Sequence, residues 1–350
     1  MVIRFVRYGA KYTTQAAMLI GYVLCIFAPT FVLQPQSTTT MTTILPNDLP
    51  HRERHQLLLS GVAPRPIALV STIDQGGIAN LSPYSFFNAY SSKPPIVAIG
   101  PAISAKTGAE KDTYRNLLDS GECTISACTY GMVEAISLAS CEYPRDVDEF
   151  VKCGLTKAAS TIVSPPRVAE APFAMECKLM ENIELRRDIA GNGNIMLLEV
   201  VAFHVADSVM VDGRIDPRKM DLVARMGYDW YARAGAANVF EVRKPTWNGI
   251  GVDALPDHIR TSDVLTGNDL AKLAGVRELP MYDGSFPTFD EDFAADRIDI
   301  ELAAQRPDAA LYVAMRDPSL RHDRRILHTI AHVFLAQQRV DEAWQTLLME

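Results

Sequence analysis

Between residues 80 and 88 the chain reads Asn80-Leu81-Ser82-Pro83-Tyr84-Ser85-Phe86-Phe87-Asn88, which places two amides, two serine hydroxyls and three aromatic rings in nine residues. The run follows a predicted hairpin whose first strand ends in Ser71-Thr72. Hydroxyls, amides and free backbone N–H groups suit a planar ligand that carries many acceptors. Further on, Lys111-Asp112-Thr113 opens a predicted helix that stops at Gly121. A helix N-terminus with a lysine and a threonine beside it is a ready site for a phosphate. Taken alone, the two segments also read as a polar loop and as a helix start with an aspartate N-cap and a solvated lysine.

Other chemistries have little support. No GxGxxG follows a strand, and neither GxxxxGK[ST] nor HExxH occurs, which argues against a Rossmann site, a P-loop and a zincin centre. His328 and His332 lie four apart on a predicted helix, but no carboxylate stands between them as a base, so the pair reads as an exposed helix face and no metal is expected. His204, in an apolar strand, reads as a satisfied core histidine. Asn80-Leu81-Ser82 is a glycosylation sequon in form only, unless the chain is secreted. The six cysteines show neither CxxC nor close histidine pairing, which points to reduced thiols and a cytoplasmic location. With 42 acidic and 34 basic side chains the net charge is -8, which disfavours a sequence-independent grip on nucleic acid.

At 350 residues, 48% hydrophobic and 22% charged, the chain can bury a large core, as two domains or one with extensions. Ile67 to Ile73 reads as a buried strand, Asp74 to Gly77 as a turn and Ile78 as the start of the return strand. Ile96–Ile99 and Cys123–Ala127 are predicted short strands, Met132–Ser140 a short helix, and Met175–Leu185 and Ile195–Val205 long strands joined by Gly191-Asn192-Gly193-Asn194. Without a βαβ rhythm, these connections predict a barrel rather than a doubly wound sheet. Asp216 to Met226 is predicted helical, and Trp247 to Pro280 reads as an ordered wrapping segment. Met281 to Asp308, with eight acids and two arginines, reads as a linker. Leu327, Ile330 and Phe334, then Val340, Trp344 and Leu347, predict a terminal helical hairpin. At the other end, Arg4, Arg7 and Lys11 precede an uncharged run from Ala16 to Leu33. That pattern fits a signal anchor or signal peptide, but Gly21 and Pro29 interrupt it, so residues 1–40 read as a dispensable or misassigned extension before Met41.

The stretches Pro64-Arg65-Pro66-Ile67-Ala68-Leu69-Val70-Ser71-Thr72, Asn80 to Asn88, Pro94-Pro95 and Lys111-Asp112-Thr113 together resemble the flavin reductase-like family, whose fold is an FMN-binding split barrel. The resemblance continues through Asp148-Glu149-Phe150, Gly154-Leu155-Thr156 and Pro165 to Pro172, and Leu222 to Gly227, Gly249 to Asp253 and Leu265 to Asn268 are similar to a longer bacterial subgroup. It implies a mainly β fold with helices, as a split-barrel domain over 51–245, with a family-specific segment over 246–280. An acidic linker over 281–308 and a helical C-terminal extension over 309–350 rest on the residues alone.

By the same resemblance FMN is the cofactor and carries the redox chemistry, so no catalytic acid or base is demanded. Ser71, Thr72, Asn80, Ser82, Ser85, Phe86 and Asn88 would line the flavin. Lys111 and Thr113 would reach its phosphate while Asp112 caps the helix. Arg225 and Tyr231 are weaker candidates for a second wall. The family further implies a homodimer with the flavin between subunits and hydride from NADH or NADPH to the flavin, which then serves an oxygenase or another electron-acceptor protein. The alternatives are a flavoredoxin-like carrier with tightly bound FMN and no nicotinamide site, and a membrane-tethered interaction module using the N-terminal run and the terminal helices.

Overall fold

The computed structural model describes residues 41–104, 108–185, 192–242, 244–284, 289 and 297–349. The N-terminal run before Met41 and Gly191 of the long-strand turn therefore lie outside the described residues. Two compact units emerge, residues 42–241 and residues 242–350.

The first unit is built on a seven-stranded antiparallel sheet in the order β3-β2-β6-β9-β10-β5-β4. Its strands are β2 (Ala68–Ile73), β3 (Ala79–Tyr84), β4 (Phe87–Ser92), β5 (Pro95–Ile99), β6 (Glu122–Ala127), β9 (Phe173–Glu184) and β10 (Asn194–Val205). The β2–β3 turn forms because the Asp74 carboxylate accepts the N–H groups of Gly76 and Ile78, both at 2.9 Å, and Gly77 takes φ +82°. Strand β2, paired with β3 and β6, is buried on both sides. Ala68 and Val70 join Cys123, Ile125, Met175, Cys177, Met196 and Leu198 in the barrel interior. Leu69, with Ile67, faces Leu81, Met132, Ile136 and Phe150. That double burial explains the unbroken apolar run at Ile67–Val70, where a one-sided sheet would alternate. The helix Asp112–Ser120 places Tyr114 and Leu117 in the barrel interior and ends at Gly121, φ +69°.

Four pieces of the fold depart from the sequence reading or sharpen it. The predicted helix over Asp216–Met226 is only Pro217–Met220, capped by Asp216 and ended by Asp221 at φ +45°. The rest is β13 (Leu222–Arg225), which pairs with β1 (Arg65–Pro66) and β14 (Tyr231–Ala234). Two-sided pairing outweighs the modest helix propensity of Leu-Val-Ala-Arg. Two small ribbons, β7 (Lys157–Ala158) with β8 (Arg167–Val168) and β11 (Met210–Val211) with β12 (Arg214–Ile215), complete the unit.

The second unit is helical and has its own core of Leu255, Ile259, Leu265, Leu273, Leu327, Ile330, Phe334, Trp344 and Leu347. Residues read as a wrapping segment thus supply part of this core. The acidic stretch is not all linker, because it contains the helix Ile298–Ala303. Within that helix the fully buried Glu301 pairs with Arg306 at 2.8 Å and Arg297 at 3.2 Å, while 285–288 and 290–296 lie outside the described residues. The terminal pair of helices is present as Arg324–Ala336 and Val340–Leu347.

The two histidines are not an exposed face. His328 is 1% exposed and its Nδ1 meets Ser262 Oγ at 2.6 Å, and His332 Nδ1 lies 2.8 Å from Asp269 Oδ2. Asp269 also forms a capping box with Thr266 at the start of Gly267–Leu273, so His332 ties that helix to Arg324–Ala336. The bond to Asp269 raises the His332 pKa, against opposing burial. Burial pushes the Asp269 carboxyl up, but the bonds from His332 and Thr266 outweigh it and leave it below its ordinary value. A raised histidine stabilises below its unfolded value and loses that contribution as pH rises through the folded one. The depressed aspartate loses its contribution only in acid. The helical unit should therefore melt higher at about pH 5.5 than at about pH 8.5, a difference that His332→Gln removes in thermal unfolding of the full chain.

Candidate functional site

On β3 the side chains of Asn80, Ser82 and Tyr84 alternate with Leu81 and Pro83, and the first set lines a pocket of 260 Å³ at the start of the helix Asp112–Ser120. Lys111, Asp112 and Thr113 line the same pocket. The structure thus brings five of the sequence-derived residues together. Thr113, 1% exposed, donates to Asn80 Oδ1 at 2.7 Å. The Asn80 amide in turn donates to Glu149 Oε1 at 3.1 Å, and Glu149 Oε2 accepts the Leu81 N–H at 3.0 Å. Burial raises the Glu149 carboxyl above its ordinary range, with these bonds opposing.

Lys111 Nζ pairs with Glu142 at 3.0 Å on the rim. Asp112 is the first residue of the helix rather than its N-cap; Lys111 holds the cap position, and the Asp112 carboxylate takes Arg115 at 2.6 Å. Arg145 reaches Asn116 Oδ1 at 3.2 Å, and Asn116 passes the network on to Thr72 Oγ1 at 3.0 Å. Thr72 is therefore buried behind the pocket; Ser71, its neighbour on the other face of β2, is also buried and does not line the pocket, and its Oγ has no hydrogen-bond partner among the described residues. Phe86, 43% exposed, and Asn88, whose side chain accepts the Ala89 N–H, lie outside the pocket.

Ser85, Arg225 and Tyr231 line a second pocket of 560 Å³, which shares Ser140 with the first. The Arg225 guanidinium lies 4.6 Å from the Tyr231 ring centre. Sequence reasoning missed Arg145, Glu142 and the role of Glu149. The Asp148-Glu149-Phe150 motif was visible, but its carboxylate meets Asn80 only in three dimensions. Among the described residues no group of three or more His, Cys, Asp or Glu side chains could hold a metal, and no helix is long and apolar enough to cross a membrane.

Residues 60–217 match the family described as flavin reductase like domain. An uncharacterized protein of Halalkalibacterium halodurans is 34% identical over 207 residues, spanning 57% of this chain and 95% of the relative. The chain belongs to the flavin reductase-like family. Nitrilotriacetate monooxygenase component B from Bacillus cereus superposes on 59% of the chain and 100% of its own, with a TM-score of 0.55 and 30% identity. The 2-nitrobenzoate 2-nitroreductase of Pseudomonas fluorescens does so over 59% and 98%, with a TM-score of 0.52 and 25% identity. The fold of this flavin reductase-like chain is accordingly a mainly β split barrel with a C-terminal helical extension, and the family places it among flavin-binding oxidoreductases.

Proposed function

We propose that the chain binds FMN, accepts hydride from NADH or NADPH, and supplies reduced flavin to an acceptor such as an oxygenase. The observation that carries the reading is the donor set around the first pocket. Lys111, Arg145 and the helix start offer cation and N–H partners suited to a phosphate monoester, and the Thr113 hydroxyl would join them on turning its proton from Asn80 Oδ1. Asp112 and Glu149 are engaged inside the protein, by Arg115 and by Asn80 with the Leu81 N–H; of the other two acids on the wall, Glu110 and Glu142, it is Glu142 that pairs with Lys111. From that anchor Asn80 and Ser82 of β3 lead on to Ser85, just past the strand at the edge of the second pocket, and the ring system would lie along them. When bound, FMN supplies the hydride-accepting chemistry, and the protein holds and tunes it.

The oxygenase as acceptor is supported by the likeness to a monooxygenase component B. A homodimer is supported by the edge strand β4, along which Tyr90 is 69% exposed beside Phe86. Phe86 and Asn88 would then meet the flavin through the subunit interface. The reading also takes the protein to be cytoplasmic, with a helical C-terminal extension that serves a role beyond the barrel.

The absorption spectrum after gel filtration tests the cofactor, and steady NADH or NADPH oxidation with added FMN tests the reaction. A flavin band without turnover would favour a carrier instead. Removing the competing charge by Glu142→Gln should tighten FMN binding a few-fold at low salt, in a fluorescence titration, because Lys111 is then free for the phosphate. Unchanged affinity would detach Lys111 from the phosphate.

A further inference from the structure

The second pocket alternates with the first along β3, with Pro83 and Ser85 on its wall where Asn80 and Ser82 line the other. Its remaining surface joins apolar Ile67, Val133 and Ile136 to the rings of Tyr130 and Tyr231. At 560 Å³ it has the size and mixed lining of a site for a small organic molecule.

The charges around it are unevenly balanced. Arg233, over the Tyr130 ring at 3.9 Å, is already held by Asp221 through two bonds of 2.7 and 2.9 Å. Arg225 has no such clasp: its nearest acid is Asp229 at 3.8 Å, a side chain wholly in solvent. Opposite Arg225 in the β1–β13 register stands Arg65, 5% exposed. Its guanidinium donates to the carbonyls of Leu59, Val62 and Met226 at 2.5, 2.6 and 2.9 Å and to Ser85 Oγ at 3.4 Å. All four acceptors are neutral, and among the described residues no carboxylate pairs with it. Burial and the neighbouring Arg225 both lower the Arg65 pKa, the signature of a cation whose charge is unanswered. Glu134 is the other acid on the wall, and it is exposed.

We propose that this pocket binds an organic anion, a flat body carrying a carboxylate or a phosphate, with the oxyanion on Arg225 in the field of Arg65. The rings and apolar wall take the body, and Ser85 places it beside the strand assigned to the flavin. The anion is then the molecule that exchanges electrons with the flavin, and only this last role rests on the proposed function.

Calorimetric titration of the full chain at low ionic strength with benzoate and with AMP tests the proposal, with benzamide and adenosine as uncharged controls. Binding of benzoate or AMP, tighter than its control, is expected; benzoate alone points to a carboxylic acid and AMP alone to a nucleotide. Arg225→Gln should weaken the binding at least about tenfold, since a charge-assisted bond is lost. Should that variant fail to fold, Asp229→Asn decides: it removes an exposed competing acid and should tighten binding. Failure of both anions to bind the wild type, equal affinity in Arg225→Gln, or no tightening in Asp229→Asn overturns the proposal. A flavin-free protein that binds benzoate would defeat the proposed function and leave the pocket standing, whereas a flavin-loaded protein that binds neither anion does the reverse.

Discussion

Replacing Lys111 and Thr113 together by alanine should cost on the order of 3 kcal/mol of FMN affinity, more than a hundredfold in Kd, while riboflavin binding hardly changes. The two side chains stand at the first turn of the helix Asp112–Ser120, where backbone N–H groups lack intrahelical partners. A phosphate there would collect the lysine charge and the helix start, and the Thr113 hydroxyl once its proton turns from Asn80 Oδ1, whereas riboflavin has no phosphate to collect them. Thr113 also donates to Asn80, so its loss could disturb the β3 side of the pocket. Thr113→Ser keeps the hydroxyl and should restore most of the affinity in the Lys111 background, separating a phosphate contact from a packing effect. Fluorescence titration of both flavins reads the result. Equal loss for FMN and riboflavin would mean that these residues shape the pocket and do not hold the phosphate.

Much of this site was legible because it is local. Asn80 and Ser82 share a face by the alternation of one strand, and the helix at Asp112 announces itself by Lys-Asp-Thr before an apolar spacing and a closing glycine. What was not legible comes from contacts that cross the chain. Glu149 acts on Asn80 from 69 positions away, and Arg145 reaches Asn116 across 29. The same reason hid His332, whose partner Asp269 lies 63 positions earlier, and turned a pair that looks solvated on its own helix into a buried clasp. Asp216–Met226 misled differently. Its residues tolerate a helix, and only pairing with both β1 and β14 makes its second half a strand.

Glu176→Gln should destabilise the barrel by about 3–5 kcal/mol, the range for removing one member of a buried charged network. Glu176 sits on β9 with no exposed surface. Its Oε1 accepts the Thr161 N–H at 2.7 Å and meets His204 Nε2 at 2.6 Å, and its Oε2 accepts Ile162 and Val163 N–H groups at 2.6 and 2.9 Å. Glutamine has nearly the same shape, but its NH2 cannot accept. One orientation sets that NH2 against the Ile162 and Val163 N–H groups and the other against the Thr161 N–H, so in either the loop at 161–163 loses part of its anchor and a buried N–H is left unpaired. Burial alone would push the carboxyl up; the three backbone donors and His204 outweigh it and bring it down to about 2 from 4.5. A depressed carboxylate gives its stability in full above the unfolded value and loses it as pH falls through the folded one. The wild type should therefore lose about 3 kcal/mol from this group between its unfolded value and strong acid, a slope that Glu176→Gln lacks. Urea unfolding of both proteins at neutral pH and on approach to pH about 2 measures the two effects. A variant as stable as the wild type at neutral pH would show that the loop holds without the carboxylate, and an equal acid slope in both would move the titrating group elsewhere.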